Sequence, residues 1–424
     1  MKFITIFLAL AIIIQVQAQF TPNYDEEKVP EYELPPLLKA ENGTPITSVE
    51  EWESIRRPEL LNLFKSQMYG KVPDLDLTVE FKLLESNRMA LNGNAVRKQI
   101  SILFSNESGS HEAGLLVYLP KNTNGPVPLF LGYNFYGNHT IFPDPEIQIS
   151  DCWVDNKPNY NIFDNKADDR SRGVRTYRWP VLRILDRDYG IAVICYHDID
   201  PDYDDDFRNG IHKLIYTEDQ KPAGDEWGSI ATWAYGLSKA MDYFEIDPDI
   251  DQTRVAVTGH SRLGKTSLWA GASDERFRLV ISNDSGCGGA ALSRRGFGET
   301  VERINSVFPH WFCDNFNRYN ENEDALPVDQ HQLIALMAPR PVYIASAVED
   351  EWADPKGEFL SGYFAGEVYR LYGLKALESD RIPEVNDPVK TGYVGYHIRS
   401  GEHDLTYFDW EQYMDFADYF LKGK

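Results

Sequence analysis

The sequence predicts an α/β fold in which a mostly parallel sheet is covered by helices on both faces. Three observations carry this. From residue 128 onward, short continuous apolar runs alternate with helix-length amphipathic stretches, the rhythm of parallel strands joined by crossover helices. The strand-like runs before residue 128 are separated by turn-rich segments, which predicts an antiparallel start to the sheet. The stretch "VAVTGHSRLGKTSLWAGA", residues 255 to 272, reads as strand, sharp bend and helix with a Ser in the bend.

The elements follow in order. "MKFITIFLALAIIIQVQAQF" has one early cation, Lys2, an apolar run from Phe3 to Ile14, and small residues at Val16 and Ala18. That pattern is a secretory signal over residues 1–18, cleaved after Ala18. The run is shorter than a membrane-spanning helix requires. The remaining chain, 19–424, is expected to form a single domain. Its first segment, to about residue 50, is rich in Pro and Glu and is expected to wrap the surface. "SVEEWESIRRPELLNLFKSQMYG" opens on Ser48 with Glu51 three residues on, a capping-box signature. Pro58 is expected to divide it into two short helices.

"LTVEFKLLE", "AVRKQISILFS" and "AGLLVYLP" read as the antiparallel strands. "PLFLGYNF", "GIAVICY", "RVAVTGH", "RFRLVISNDSG", "RPVYIASAVED" and "GYVGYHIR" read as the later ones. Between them, "WGSIATWAYGLSKAMDYF" places Ile230, Trp233, Ala234, Leu237, Met241 and Phe244 on one helical face. A terminal amphipathic helix is expected from about Asp409 to Leu421. "DIDPDYDDDF" lacks the ligand spacing of a calcium loop and reads as a solvated acidic loop.

The charge excludes some functions. There are 66 Asp and Glu against 42 Lys and Arg, a net charge of −24. Such a chain repels nucleic acid and anionic membranes, so neither is expected as a partner. The four cysteines are Cys152, Cys195, Cys287 and Cys313. Cys195 lies in a buried-strand pattern and reads as an inert core thiol. No Cys-x-x-Cys occurs, and no structural zinc, other metal or cofactor is expected.

The bend at residues 259–266 fits two chemistries. Gly259, Gly264, Lys265 and Thr266 match a phosphate-binding loop, whereas Gly259-His260-Ser261 matches a nucleophile elbow. A phosphate loop presents successive backbone N–H groups and favours small residues in the bend. Here His260, Ser261, Arg262 and Leu263 fill it, and an exported chain meets little nucleotide. A Ser nucleophile needs a base, and the base an orienting acid. In this type of sheet they follow in the order Ser, acid, His, each beyond a strand's C-terminal end. Ser261, Asp350 and His403 occur in that order, at such places. His397 lies inside the last strand pattern and reads as structural; His310 and His331 read as surface or core. Asp284, after the strand following the elbow, and Glu349, beside Asp350, are the competing acids and rank second and third. The second glycine of a usual elbow is replaced by Leu263, with Gly264 one place later. Arg262 and Lys265 put two cations at a helix N-terminus, which opposes the helix dipole and argues for function.

Those residues resemble the glucuronoyl esterases, carbohydrate esterase family 15, whose signature is Gly-x-Ser-Arg-x-Gly-Lys. The resemblance extends over "GYNFYGNH", "RGVRTYRWP", "SNDSGCGGAALSRR", "PHWFCDNF", "WADPKGEF" and "GEHDLTYFDW". It implies an α/β-hydrolase three-layer sandwich with an exposed cleft. It implies Ser261 as nucleophile, His403 as base, and Arg262 as an oxyanion-hole contributor. Lys265, Glu299 and Trp352 match positions that contact uronic acid hydroxyls. The family places its acid after either of two strands. Position 284 is Glu in many fungal relatives and Asp here, which favours Asp350. Cys287 and Cys313 flank one loop-rich segment, and their pairing resembles a family disulfide. The implied substrate is glucuronoxylan esterified through its (4-O-methyl-)glucuronate to lignin alcohols, hydrolysed by a periplasmic or secreted monomer. An acetyl-xylan esterase on the same scaffold, a catalytically dead carbohydrate-binding relative and, last, a nucleotide hydrolase are the alternatives.

Overall fold

The computed structural model describes residues 20–74, 76–217 and 219–423. The expected signal segment, 1–18, lies outside them. One sheet of nine strands runs through the molecule in the order β1-β2-β3-β5-β4-β6-β7-β8-β9. The strands are β1 (Thr78–Met89), β2 (Ala95–Asn106), β3 (Gly109–Pro120), β4 (Val127–Asn134), β5 (Gly190–Cys195), β6 (Ile250–His260), β7 (Leu279–Asn283), β8 (Val342–Ala347) and β9 (Val394–Arg399). β1, β2 and β3 pair antiparallel, and β3 meets β5 antiparallel. All pairings from β5 through β4 to β9 are parallel. The antiparallel start and parallel body follow the sequence pattern.

Two apolar layers sandwich the sheet. Along β3, Leu115, Val117 and Leu119 point into one core, while Leu116 and Tyr118 point into the other, the period-2 alternation of a strand. The first core receives the helix Ser229–Phe244 through Ile230, Trp233, Ala234, Leu237, Met241 and Phe244, the stripe expected from their spacing. It also receives the helices Arg262–Ser273 and Pro355–Leu371. The second core receives the terminal helix Tyr407–Lys422 through Trp410, Tyr413, Met414 and Phe416. β4 and β8 are buried at every position, as strands covered on both faces must be.

Pro58 does not split its helix. Val49–Glu51 passes into a π-helical turn, Trp52–Arg56, which leads straight into the helix Arg57–Gln67. Proline lacks an N–H and crowds the carbonyl four residues back, and a widened turn just before it accommodates both. Ser48 caps the first turn by accepting from the Glu51 N–H, but the Glu51 carboxylate reaches back to the Thr47 N–H at 2.7 Å. The segment before this helix lies against the body. The Pro35 carbonyl accepts from His331 Nε2 at 2.9 Å, and Pro36 from Arg56 Nη2 at 3.0 Å.

The cysteines differ from expectation. All four are free thiols. Cys287 lies near the charges of Lys265 and Glu299. Cys313 hydrogen-bonds through its backbone N–H to the Met68 carbonyl at 2.9 Å. Both Cys287 and Cys313 are buried. Cys195 is a buried core thiol as expected, and Cys152 Sγ stands 3.5 Å from it. Among the described residues, no helix is long and apolar enough to cross a membrane.

Candidate active site

Ser261 sits between the end of β6 and the helix Arg262–Ser273, with φ 62° and ψ −130°. A positive φ at a non-glycine residue costs energy and is tolerated where the surroundings impose it. Here the Ser261 N–H donates to the Asn283 carbonyl on β7 at 2.9 Å, and its own carbonyl accepts from the Gly264 N–H at 2.8 Å. The bend is tight enough that a Cβ on Gly259 would fall 1.9 Å from the Leu263 carbonyl oxygen. The usual second glycine is unnecessary at position 263 because Leu263 turns into the apolar core. Gly264 takes up the close approach instead, where a Cβ would meet the Ser285 side chain at 2.9 Å and the Asn283 carbonyl at 3.1 Å.

Asp350 and His403 follow the C-terminal ends of β8 and β9. His403 Nδ1 and Asp350 Oδ2 are 2.6 Å apart, a short charge-assisted bond. Asp350 is buried, whereas Glu349 is exposed. The third candidate acid, Asp284, is also buried and has φ 45°. Its Oδ2 accepts from Arg399 Nη2 at 3.3 Å, and its Oδ1 has no hydrogen-bond partner among the described residues. Burial, and then the neighbouring Glu358 and Asp350 charges, push its carboxyl well above the usual range. Asp284, Asp350 and His403 each offer a ligand-type atom, all within 4.8 Å of one another, so the two acids crowd one imidazole and only Asp350 bonds to it.

His403 is held from two sides. The His260 ring lies 4.5 Å from it, centroid to centroid. His260 is fixed by Asn283 at 2.6 Å, and burial first of all lowers its pKa well below the usual value, so it stays neutral. Arg399 ties down the loop that carries His403, donating to the Glu402 carbonyl at 3.0 Å and the Asp404 carbonyl at 2.5 Å. Arg399 is itself paired with Asp409 at 3.0 Å. His397 bonds Asp409 at 2.9 Å and Tyr343 at 3.0 Å, a structural histidine. Ser261 and His403 line one hollow of about 390 Å³ together with Arg262, His260, Phe135, Tyr136, Asp155, Tyr160, Arg175 and Arg178. The Ser261 hydroxyl is not hydrogen-bonded to His403, a looseness common in sites without substrate.

The two cations of the signature have separate partners. Arg262 Nη1 donates to Asp202, and its guanidinium lies 4.7 Å from the Trp311 ring and 5.4 Å from Phe308. Lys265 is buried, with Nζ 2.5 Å from the Ser285 carbonyl and 3.8 Å from Glu299. The carbonyl and carboxylate beside Lys265 Nζ would repel a phosphate, which argues against the nucleotide reading. Glu299 donates its backbone N–H to the Trp352 carbonyl at 3.0 Å, so Lys265, Glu299 and Trp352 form one connected group. None of the three lines the 390 Å³ hollow.

The acidic run is solvated only in its second half, where Asp204 and Asp206 are exposed. Asp198, Asp200 and Asp202 are buried. Asp200 pairs with His212 at 3.0 Å, and Asp198 accepts from Ser150 at 2.5 Å. His310 is buried on Asp202 at 2.9 Å. Composition gave no sign of this, because the partners come from distant segments.

Comparison with known proteins agrees with this architecture. A family model described as glucuronyl esterase, fungi, matches residues 160–373. Carbohydrate esterase MZ0003, from an unknown prokaryotic organism, is 51% identical over 98% of both chains. A solved promiscuous esterase of carbohydrate esterase family 15, from a marine bacterial metagenome, is 53% identical with a TM-score of 0.89, over 94% of this chain and 100% of that one. The glucuronoyl esterase from Solibacter usitatus is 42% identical with a TM-score of 0.86, over 92% and 99%. A shorter match, 33% identical over 44% of this chain and 47% of the relative, is to 4-O-methyl-glucuronoyl methylesterase 1 of Wolfiporia cocos. With the nine-stranded α/β-hydrolase sheet and these matches, the chain belongs to the glucuronoyl esterases of carbohydrate esterase family 15 and is a carboxylic ester hydrolase.

Proposed function

We propose that the protein hydrolyses esters joining (4-O-methyl-)glucuronic acid of xylan to lignin alcohols. The observation that supports this most is the 2.6 Å His403–Asp350 bond beside Ser261 on its positive-φ bend, with a guanidinium next in sequence. Because Nδ1 of His403 is committed to Asp350, Nε2 is the nitrogen left for Ser261. In this reading Ser261 Oγ attacks C6 of the uronate while His403 Nε2 takes its proton. Asp350 stabilises the imidazolium that forms. Arg262 faces the developing oxyanion. His403 then protonates the leaving alcohol, and water, activated by the same imidazole, releases the acid.

Lys265, Glu299 and Trp352 would contact the sugar hydroxyls. Burial, first of all, lowers the Lys265 pKa and raises that of Glu299, each partly offset by the other's charge. A sugar hydroxyl inserted between them would both donate and accept. Asp284 is a neighbour of the acid rather than its replacement. The N-terminal signal pattern supports export to the periplasm or beyond.

A panel of benzyl glucuronate, methyl galacturonate and acetylated xylan tests the substrate. Hydrolysis of the glucuronate ester in preference to the others is expected. Release of acetate alone would assign the protein to acetyl-xylan esterase chemistry.

A further inference from the structure

Asp202 occupies a place that the ester-hydrolysis scheme does not use. It lies in the acidic run after β5, yet both of its carboxylate oxygens are saturated by donors from four separate positions. Oδ2 accepts from Tyr196 Oη at 2.8 Å and from Arg262 Nη1. Oδ1 accepts from Trp311 Nε1 at 2.7 Å and His310 Nε2 at 2.9 Å. The backbone N–H of Asp202 donates to His197 Nδ1 at 3.0 Å, which fixes the main chain as well. A carboxylate with all its acceptor positions filled cannot rotate without losing a buried hydrogen bond. Its charge is retained. Burial alone would raise its pKa, but the Arg262 charge and the His310 bond more than offset this and hold it well below the usual range.

The consequence falls on Arg262. Its guanidinium is grasped at one end, Nη1, and Trp311 and Phe308 lie against it. Among the described residues its Nε has no hydrogen-bond partner. An arginine fixed at one end by a saturated carboxylate is pre-aimed, and its remaining donors are not consumed by the protein. Preorganised donors of this kind cost no reorganisation when charge develops.

We propose that Asp202 is the positioning residue for Arg262, holding the guanidinium at the oxyanion without touching substrate. This rests on the oxyanion role of Arg262 given above. Trp311 serves twice, donating to Asp202 and supporting the guanidinium plane.

The test is a double-mutant cycle on the full chain with benzyl glucuronate, reading kcat and KM separately. Losing one oxyanion donor typically costs ~10²–10³ in kcat, so a misaimed one in Asp202→Asn is expected to cost ~10–100-fold with KM changed less than about 3-fold. In an Arg262→Ala background the same substitution is expected to cost less than about 3-fold. Trp311→Phe keeps the ring and the Asp202 charge but removes one donor; it guards against an Asp202 variant that does not fold. It is expected to lower kcat severalfold, and only when Arg262 is present. If Arg262→Ala itself leaves kcat unchanged, the oxyanion reading falls and this proposal with it. If Arg262→Ala lowers kcat but Asp202→Asn and Trp311→Phe do not, or cost as much without Arg262 as with it, the positioning role is overturned and the oxyanion reading stands.

Discussion

Replacing each of the two neighbouring acids by its amide separates their roles. Asp350 and His403 are 2.6 Å apart. When His403 takes the proton from Ser261, an imidazolium–carboxylate pair forms with charge centres ~4 Å apart, worth roughly 4 kcal/mol at an effective dielectric of about 20. The His403 side chain is 41% exposed, so solvent screening reduces this to about 3 kcal/mol. At about 1.4 kcal/mol per decade, Asp350→Asn is expected to lower kcat by ~10²–10³. KM for benzyl glucuronate should change little, because the pair forms only as the reaction proceeds. Asp284→Asn should behave differently. Among the described residues its carboxylate has one hydrogen bond, 3.3 Å, to Arg399, and it resists ionisation because it is buried and near the Glu358 and Asp350 charges. Removing a charge that is only weakly held there should cost less than about tenfold. Steady-state release of benzyl alcohol measures both. A larger loss in Asp284→Asn than in Asp350→Asn would refute the assignment and make Asp284 the operative acid.

Three other predictions follow from the same geometry. Gly259→Ala places a Cβ against backbone at 1.9 Å, whereas Gly264→Ala meets a serine side chain and the Asn283 carbonyl at 2.9 and 3.1 Å; urea denaturation should show the former much more destabilised, and equal stabilities would contradict the elbow geometry. Arg399→Ala strips the buried Asp409 carboxylate of its guanidinium partner and frees the His403 loop, so it should cost ~3–5 kcal/mol of stability together with activity, and a stable, active variant would contradict that role. Burial holds the buried His331 down to about 4. Its unfolded pKa is near 6.5, so between about pH 6.5 and 4 the unfolded chain binds the extra proton and stability falls as pH falls. His331→Gln should remove up to ~3 kcal/mol of that acid sensitivity, seen as a shallower loss of urea midpoint than in the parent; identical pH profiles would contradict a neutral His331.

The strand pattern was legible because buried parallel strands are written as continuous apolar runs, and "PLFLGYNF", "GIAVICY" and "RPVYIASAVED" became β4, β5 and β8. The helix Ser229–Phe244 was legible from its stripe for the same reason. The positions of Ser261, Asp350 and His403 beyond β6, β8 and β9 follow from chain order alone. Other features depend on contacts between distant segments, which one-dimensional pattern does not encode. "DIDPDYDDDF" looks solvated until Arg262, His310 and Trp311 arrive from 60, 108 and 109 residues away. Arg399 reads as the end of a strand, and only the fold shows it joining Asp284, Asp409 and the His403 loop. The pairing of Cys287 with Cys313 failed for a related reason. Two cysteines flanking a loop say nothing about where each side chain points, and here both thiols are buried and free.

Ester cleavage by this site depends on the hydroxyl of Ser261. The most direct measurement is turnover of benzyl glucuronate by folded Ser261→Ala beside the parent protein, with the thermal transition of each recorded. The account predicts an unchanged transition and a fall in kcat of at least about 10³-fold. Turnover within a few-fold of the parent would contradict it.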